Sequence, residues 1–146
     1  MSSAEEFIEF ADLLLAVESP TEIAIRSAVD RAYYGAYHAC IDFEVSLPLI
    51  GRLSHRPGGE HENLMQRLER PDPKLHTDIA NRSKILGASL RQLKQDRVHA
   101  SYQLKTAITV PEATVALQQA RTIVGDVRSG QAMIKALGPN AKQSAS

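Results

Sequence analysis

The sequence predicts an all-α fold, an antiparallel bundle of about five helices. Ala, Leu, Glu, Gln, Arg and Lys dominate, and aromatic residues are 5% of the chain. Apolar residues recur at steps of three and four, the repeat of one face of a helix, and no segment alternates for long as a half-buried strand would. The 146 residues suit one domain with its own core. We expect that domain over 1–137 and a disordered polar tail over 138–146.

Each element follows from local chemistry. Ser2 or Ser3 caps a first helix, Glu5 or Glu6 completes the capping box, and Phe7, Phe10, Ala11, Leu14 and Val17 share the expected core face. Ser19-Pro20-Thr21-Glu22 repeats the device, with Ser19 as N-cap and Glu22 reaching back, for a long second helix to about Val45. Its seam is Ile25, Val29, Ala32, Ala36, Ala39 and Phe43, and the small residues there admit a close neighbour. Pro48, Gly51, Pro57, Gly58 and Gly59 make 46–59 a loop, before a short helix from Glu60 to Glu69 that Arg70-Pro71-Asp72-Pro73 breaks. A fourth helix runs from Lys74 to about Lys105 with Leu86, Leu90, Leu93, Ala100 and Leu104 inward. Thr109 and Pro111 open the fifth, whose stripe is Ala113, Leu117, Ala120, Ile123, Val127 and Ile134, and Gly138-Pro139 ends it.

Seventeen basic and seventeen acidic side chains balance, which excludes a polybasic nucleic-acid binder. A single cysteine, Cys40, excludes a disulfide framework within the chain and a multi-thiolate zinc site, and suits a reducing compartment. No apolar run approaches the roughly 18 residues of a membrane span, so a cytoplasmic location is expected. His55, His61 and His76 show no metal-ligand spacing with each other or Cys40, so neither a metal nor another cofactor is implied.

The neutral total hides a local asymmetry. Residues 1–25 carry Glu5, Glu6, Glu9, Asp12, Glu18 and Glu22 with no Lys or Arg. Residues 82–105 carry Arg82, Lys84, Arg91, Lys94, Arg97 and Lys105 against Asp96 alone. Either the acidic and basic helices neutralise each other, or Arg91, Lys94 and their neighbours form an RNA-facing strip.

Arg97 fills the gap in the stripe Leu86, Leu90, Leu93, Ala100, Leu104, so its guanidinium is aimed at the apolar side. An unpaired buried charge costs several kcal/mol. Arg97 therefore needs an acid, a dimer seam or a phosphate-binding cleft, and spacing alone favours an ion pair, with Asp30 as a partner. His99 lies about 200° round the helix from Arg97, so the two cannot meet one ligand from a straight helix, whereas Tyr102 shares the face of His99. On the second helix Arg26 and Asp30 are spaced to pair, and Arg31, Tyr34 and His38 form a separate line. That line can hold a phosphate and move a proton, or it can be a packed histidine between aromatics.

Two motifs carry a family resemblance over roughly residues 5–135. Arg31, Tyr33, Tyr34 and His38 in RSAVDRAYYGAYHAC, and Leu93, Arg97, Ala100, Ser101 and Tyr102 in the fourth helix, resemble the HEPN domain (higher eukaryotes and prokaryotes nucleotide-binding). The resemblance implies a helical bundle, usually a homodimer, of the kind found in prokaryotic toxin-antitoxin and defence systems. Active members are metal-independent endoribonucleases in which Arg holds the scissile phosphate and a His four to six residues on moves the proton. Here the fifth residue after Arg97 is Tyr102, and tyrosine, with a pKa near 10, is a poor base.

Three expectations follow. The first is an RNA-binding toxin or defence protein, with Arg97, His99 and Tyr102 as candidate catalytic residues and Arg31, Tyr34, His38, Arg91 and Lys94 as RNA- or nucleotide-binding residues. The second is a non-catalytic partner of a minimal nucleotidyltransferase or an antitoxin. The third is a nucleotide-sensing module built on Arg31, Tyr34 and His38.

Overall fold

A computed structural model describes residues 3–102 and 107–143, the side chains of 100–102 excepted. The protein is an all-α bundle of five helices: α1 (Ala4–Leu15), α2 (Glu22–Ser46), α3 (Glu60–Glu69), α4 (Thr77–Tyr102) and α5 (Val110–Leu137). Leu104 and Lys105, expected in the fourth helix, lie outside the described residues, as does Ser2.

The helix starts follow capping chemistry. The Ser3 side chain accepts from the Glu6 amide at 3.2 Å, and Thr109 and Glu112 close a reciprocal capping box around α5. The α2 cap is Thr21, whose hydroxyl accepts from the Ala24 amide at 3.1 Å, so Ser19 is not the cap. Glu22 consequently reaches forward to Arg26 at 2.7 Å rather than back to Ser19.

α2 is the central helix, and its predicted seam is fully inside: Ile25, Val29, Ala32, Ala36, Ala39 and Phe43 are all buried. α1 runs antiparallel to it, with Phe7 beside Tyr34 and His38 and Phe10 beside Arg31. A Cβ on Gly35 would stand 2.9 Å from Ile8 Cδ1 and 3.0 Å from the Ala4 carbonyl, so the bare glycine is what lets the two backbones close. That contact selects the buried face of α1. Ala4, Ile8 and Ala11 are inside, while Phe10 and Val17, expected in the core, are 49% and 56% exposed.

α4 returns antiparallel to α2 and α3, burying Leu86, Leu90 and Leu93, and α5 returns antiparallel to α4 with Ala113, Leu117, Ala120, Ile123 and Val127 inside. At the far end Phe43 fits against Gly130, where a Cβ would come within 2.8 Å of its ring. Truncating so enclosed a ring costs about 3–5 kcal/mol.

The loop before α3 is tied from within that helix. The buried Gln66 accepts from the Ser54 amide at 3.0 Å and donates to the Arg56 carbonyl at 3.0 Å, and Asn63 accepts from the Gly58 amide at 2.8 Å. Beyond α5, Gly138–Ala141 form a short 3-10 turn, at the start of the segment expected as a tail. Ala141 is buried and its carbonyl accepts from the His76 amide at 2.8 Å, so this stretch docks onto the start of α4 instead of leaving the bundle. No described helix is long and apolar enough to cross a membrane.

Candidate functional site

Arg97 decides the site. Its Nε donates to an Asp30 carboxylate oxygen at 2.8 Å and its Nη2 to the Tyr34 hydroxyl at 3.3 Å. The guanidinium carbon also lies 5.3 Å and 5.1 Å from the ring centres of Tyr33 and Tyr34. The ion pair favoured by spacing is therefore present, and cation–π contact adds to it. The arginine side chain is 16% and the Asp30 side chain 27% exposed, so the pair sits at the lip of the bundle and keeps a face toward solvent. Arg26, also spaced to reach Asp30, pairs with Glu22 at 2.7 Å.

Around this pair the second helix presents aromatic rings at successive turns, and α3 supplies His61, weighed in the sequence only as a metal ligand. His61 stacks on Tyr37 with ring centres 3.9 Å apart and planes 4° from parallel. Its Nδ1 is 2.6 Å from the hydroxyl of Tyr33, whose ring is wholly buried. Phe7 of α1 stacks on His38 at 5.1 Å, and Tyr37 meets the edge of His38 at 5.7 Å. Burial pushes the His61 imidazole below its ordinary range, helped by the positive charges of Lys94 and Arg97, while Glu60 opposes the shift. Burial also pushes the Tyr33 and Tyr37 hydroxyls up, so both remain protonated at neutral pH.

The sequence-marked residues divide accordingly. Tyr34 and His38 join Arg97 in one polar-aromatic ledge, and Lys94 lies near enough to bias His61 while making no salt bridge with a described residue. Arg31 stands apart on the rim, 5.9 Å from the ring of Phe10. Arg91 is committed elsewhere: it holds Glu62 at 2.8 Å and Glu69 at 2.6 Å, and these partners push its own pKa up.

His99 leaves in the other direction. It lines a cavity of about 350 Å³ between α4 and α5 with Gln92, Asp96, Glu112 and Gln119, over an apolar floor that includes Val29 and Ala116. Burial pushes the Asp96 carboxyl up there, partly offset by hydrogen bonding from Gln92 and by the nearby His99. The geometry thus separates Arg97 from His99, as their spacing requires. The side chain of Tyr102 lies outside the described residues. Cys40 is fully buried and its thiol is pushed up, which leaves it no nucleophile's role. Among the described residues no three His, Cys, Asp or Glu side chains gather to hold a metal.

The basic excess of α4 is largely answered inside the molecule. Arg82 pairs with Asp126 of α5 at 3.8 Å, Arg91 with α3, and Arg97 with α2. The acidic α1 takes its partners from α5, through Glu5 with Arg128 and Asp12 with Arg121 at 3.2 Å. The acidic and basic helices, for which mutual neutralisation was one of the two alternatives, thus find different partners.

No family model, curated protein or solved structure matches this chain.

Proposed function

We propose that the chain is an RNA-directed protein of toxin or defence type that binds single-stranded RNA on the ledge formed by Tyr34, Tyr37, His38, His61 and Lys94. One observation carries this reading: flat aromatic and imidazole rings from α2 and α3 gather beside the positive charges of α4. Stacking surfaces next to cations are what an unpaired strand needs, since bases stack on the rings and phosphates meet the charge. Arg97 anchors the ledge and lends it field, its inner side being held by Asp30.

Because the other arginines of α4 are paired, few phosphates are neutralised and binding depends weakly on salt. Each phosphate contact on a single strand contributes roughly −0.7 to the slope of log affinity against log salt. We expect a slope of about −1, measured by anisotropy of a labelled single-stranded RNA. Lys94→Ala removes about 0.7 of it, and Tyr37→Ala weakens binding by about 1–3 kcal/mol, the value of one stacked base. No binding at low salt, or equal affinity in the Tyr37→Ala protein, defeats the reading.

A second reading is favoured by the outer face of α1, where Phe10 and Leu13 are 49% and 67% exposed beside Glu6 and Glu9. An apolar strip edged by carboxylates suits a protein partner, whether a second copy of this chain or an antitoxin or nucleotidyltransferase. Sedimentation of the purified chain against concentration separates the first of these. Self-association abolished by Phe10→Lys supports a homodimer, and a monomer at all concentrations removes it.

A further inference from the structure

We infer that His61 reads RNA as a neutral hydrogen-bond donor: Tyr33 fixes its imidazole with the proton on Nε2, and this N–H, with the Lys94 ammonium, holds a phosphodiester oxygen without taking a proton from the RNA. The inference rests on the proposed RNA ledge and adds to it the group that contacts the strand and the reason it does not cleave.

The argument starts from the Tyr33 hydroxyl. Its ring is fully enclosed, and the only described partner of its oxygen is Nδ1 of His61, 2.6 Å away. A buried hydroxyl that accepted a proton from Nδ1 would leave its own O–H without an acceptor, at a cost of about 1–3 kcal/mol. The low-energy arrangement is therefore Tyr33 donating to Nδ1. A neutral imidazole carries one proton, so it resides on Nε2. Stacking against Tyr37 at 3.9 Å holds the ring in place.

Protonation is disfavoured by burial and by the neighbouring cations. A second proton would have to go onto Nδ1, reversing the Tyr33 bond. From α2 the ring meets Tyr33, Tyr34, Tyr37 and, at longer range, His38; α4 brings Lys94 and Arg97. Glu60, on the ring's own helix, favours the charged form. An imidazole held neutral with Nε2 protonated donates a hydrogen bond but has no free lone pair with which to deprotonate a ribose hydroxyl. Base catalysis by this histidine is closed, while anion recognition is open. His61 is also the imidazole that feels both cations of the ledge, in contrast to His99 on the opposite side of α4.

Two measurements on the full chain test this separately from RNA binding. Long-range nitrogen–proton correlation spectra of the RNA-free protein should show His61 as the Nε2–H tautomer, titrating below the usual histidine range. In Tyr33→Phe the Nδ1 anchor is gone, so the spectrum should move toward mixed tautomers and a higher titration midpoint. An Nδ1–H tautomer, or an imidazolium at pH 7, overturns the inference even if RNA binds. With RNA, affinity should be flat from about pH 7 to 8 in the unaltered protein. It should fall several-fold in His61→Phe, which keeps the stacking ring and loses the donor. Unchanged affinity in His61→Phe, or metal-independent cleavage that His61→Phe abolishes, also overturns it. Failure of the unaltered protein to bind any single-stranded RNA while the tautomer is as expected removes the ledge reading and with it the role assigned here.

Discussion

Arg97 and His99 stand two residues apart in the sequence and on opposite sides of α4, and the two sides are built differently. On the Arg97 side both Arg97 and Arg91 meet acidic partners from other helices and the space around Arg97 is filled by rings. On the His99 side a cavity of about 350 Å³ remains, lined by amides and carboxyl groups over an apolar floor. The contrast teaches that an Arg and a His close in a helical motif are not thereby close to one substrate. A helix turns about 100° per residue, and whichever side chain faces the neighbouring helices is the one the fold puts to use.

The largest effect that can sharpen this contrast is loss of the Arg97 anchor. Arg97→Ala leaves Asp30 partly buried and unpaired and removes the cation between two tyrosine rings, so we expect a loss of roughly 2–3 kcal/mol by denaturant unfolding, below the full cost for a wholly buried pair because both side chains keep some exposure. Arg121→Ala, which breaks the exposed pair with Asp12, should cost less than about 1 kcal/mol. Equal losses in the two variants would place Arg97 among ordinary surface arginines. Arg91→Ala lies between them at about 1–2 kcal/mol, because Arg91 joins two carboxylates of α3 at a position that is about one-third exposed. A value near zero would mean that α3, and His61 with it, is held on α4 by the buried Leu64, Leu68 and Ser83 alone.

Much of the bundle was legible because its central helix is written in one period. The α2 seam repeats at steps of four and three, and each of its six members is buried. α1 was read less well: of its expected face Ala11 is buried, but Phe10 and Val17 are exposed, and Ala4 and Ile8 are inside instead, a choice made by Gly35, a residue of another helix. The Arg97–Asp30 pair was legible from a single misfit in an apolar stripe. His61 was not. It follows a loop rich in Pro and Gly, and its place beside Tyr33 depends on Gln66 and Asn63 fastening that loop, contacts that leave no periodic trace. The signal that existed was the triple tyrosine at Tyr33, Tyr34 and Tyr37 on a helix otherwise lined with alanine, whose hydroxyls called for polar partners.

The smallest effects separate the two faces by pH and by function. His61 sits below its ordinary value of 6.5 in the folded chain, so the unfolded chain takes up its proton first as pH falls. Stability contributed by neutral His61 is present above 6.5 and is lost on acidification through the window beneath it, and Tyr33→Phe should shrink that loss. Denaturant midpoints between pH 7 and 5 check this, and an identical pH dependence in Tyr33→Phe would detach the hydroxyl from the imidazole. His99→Ala should change RNA affinity by no more than about twofold, because its ring faces the cavity on the α5 side, away from the ledge. A tenfold loss, about 1.4 kcal/mol, would mean that the strand wraps the end of α4 and reaches both faces. The ledge would then be half of a longer path whose second half runs past Asp96 and Gln92.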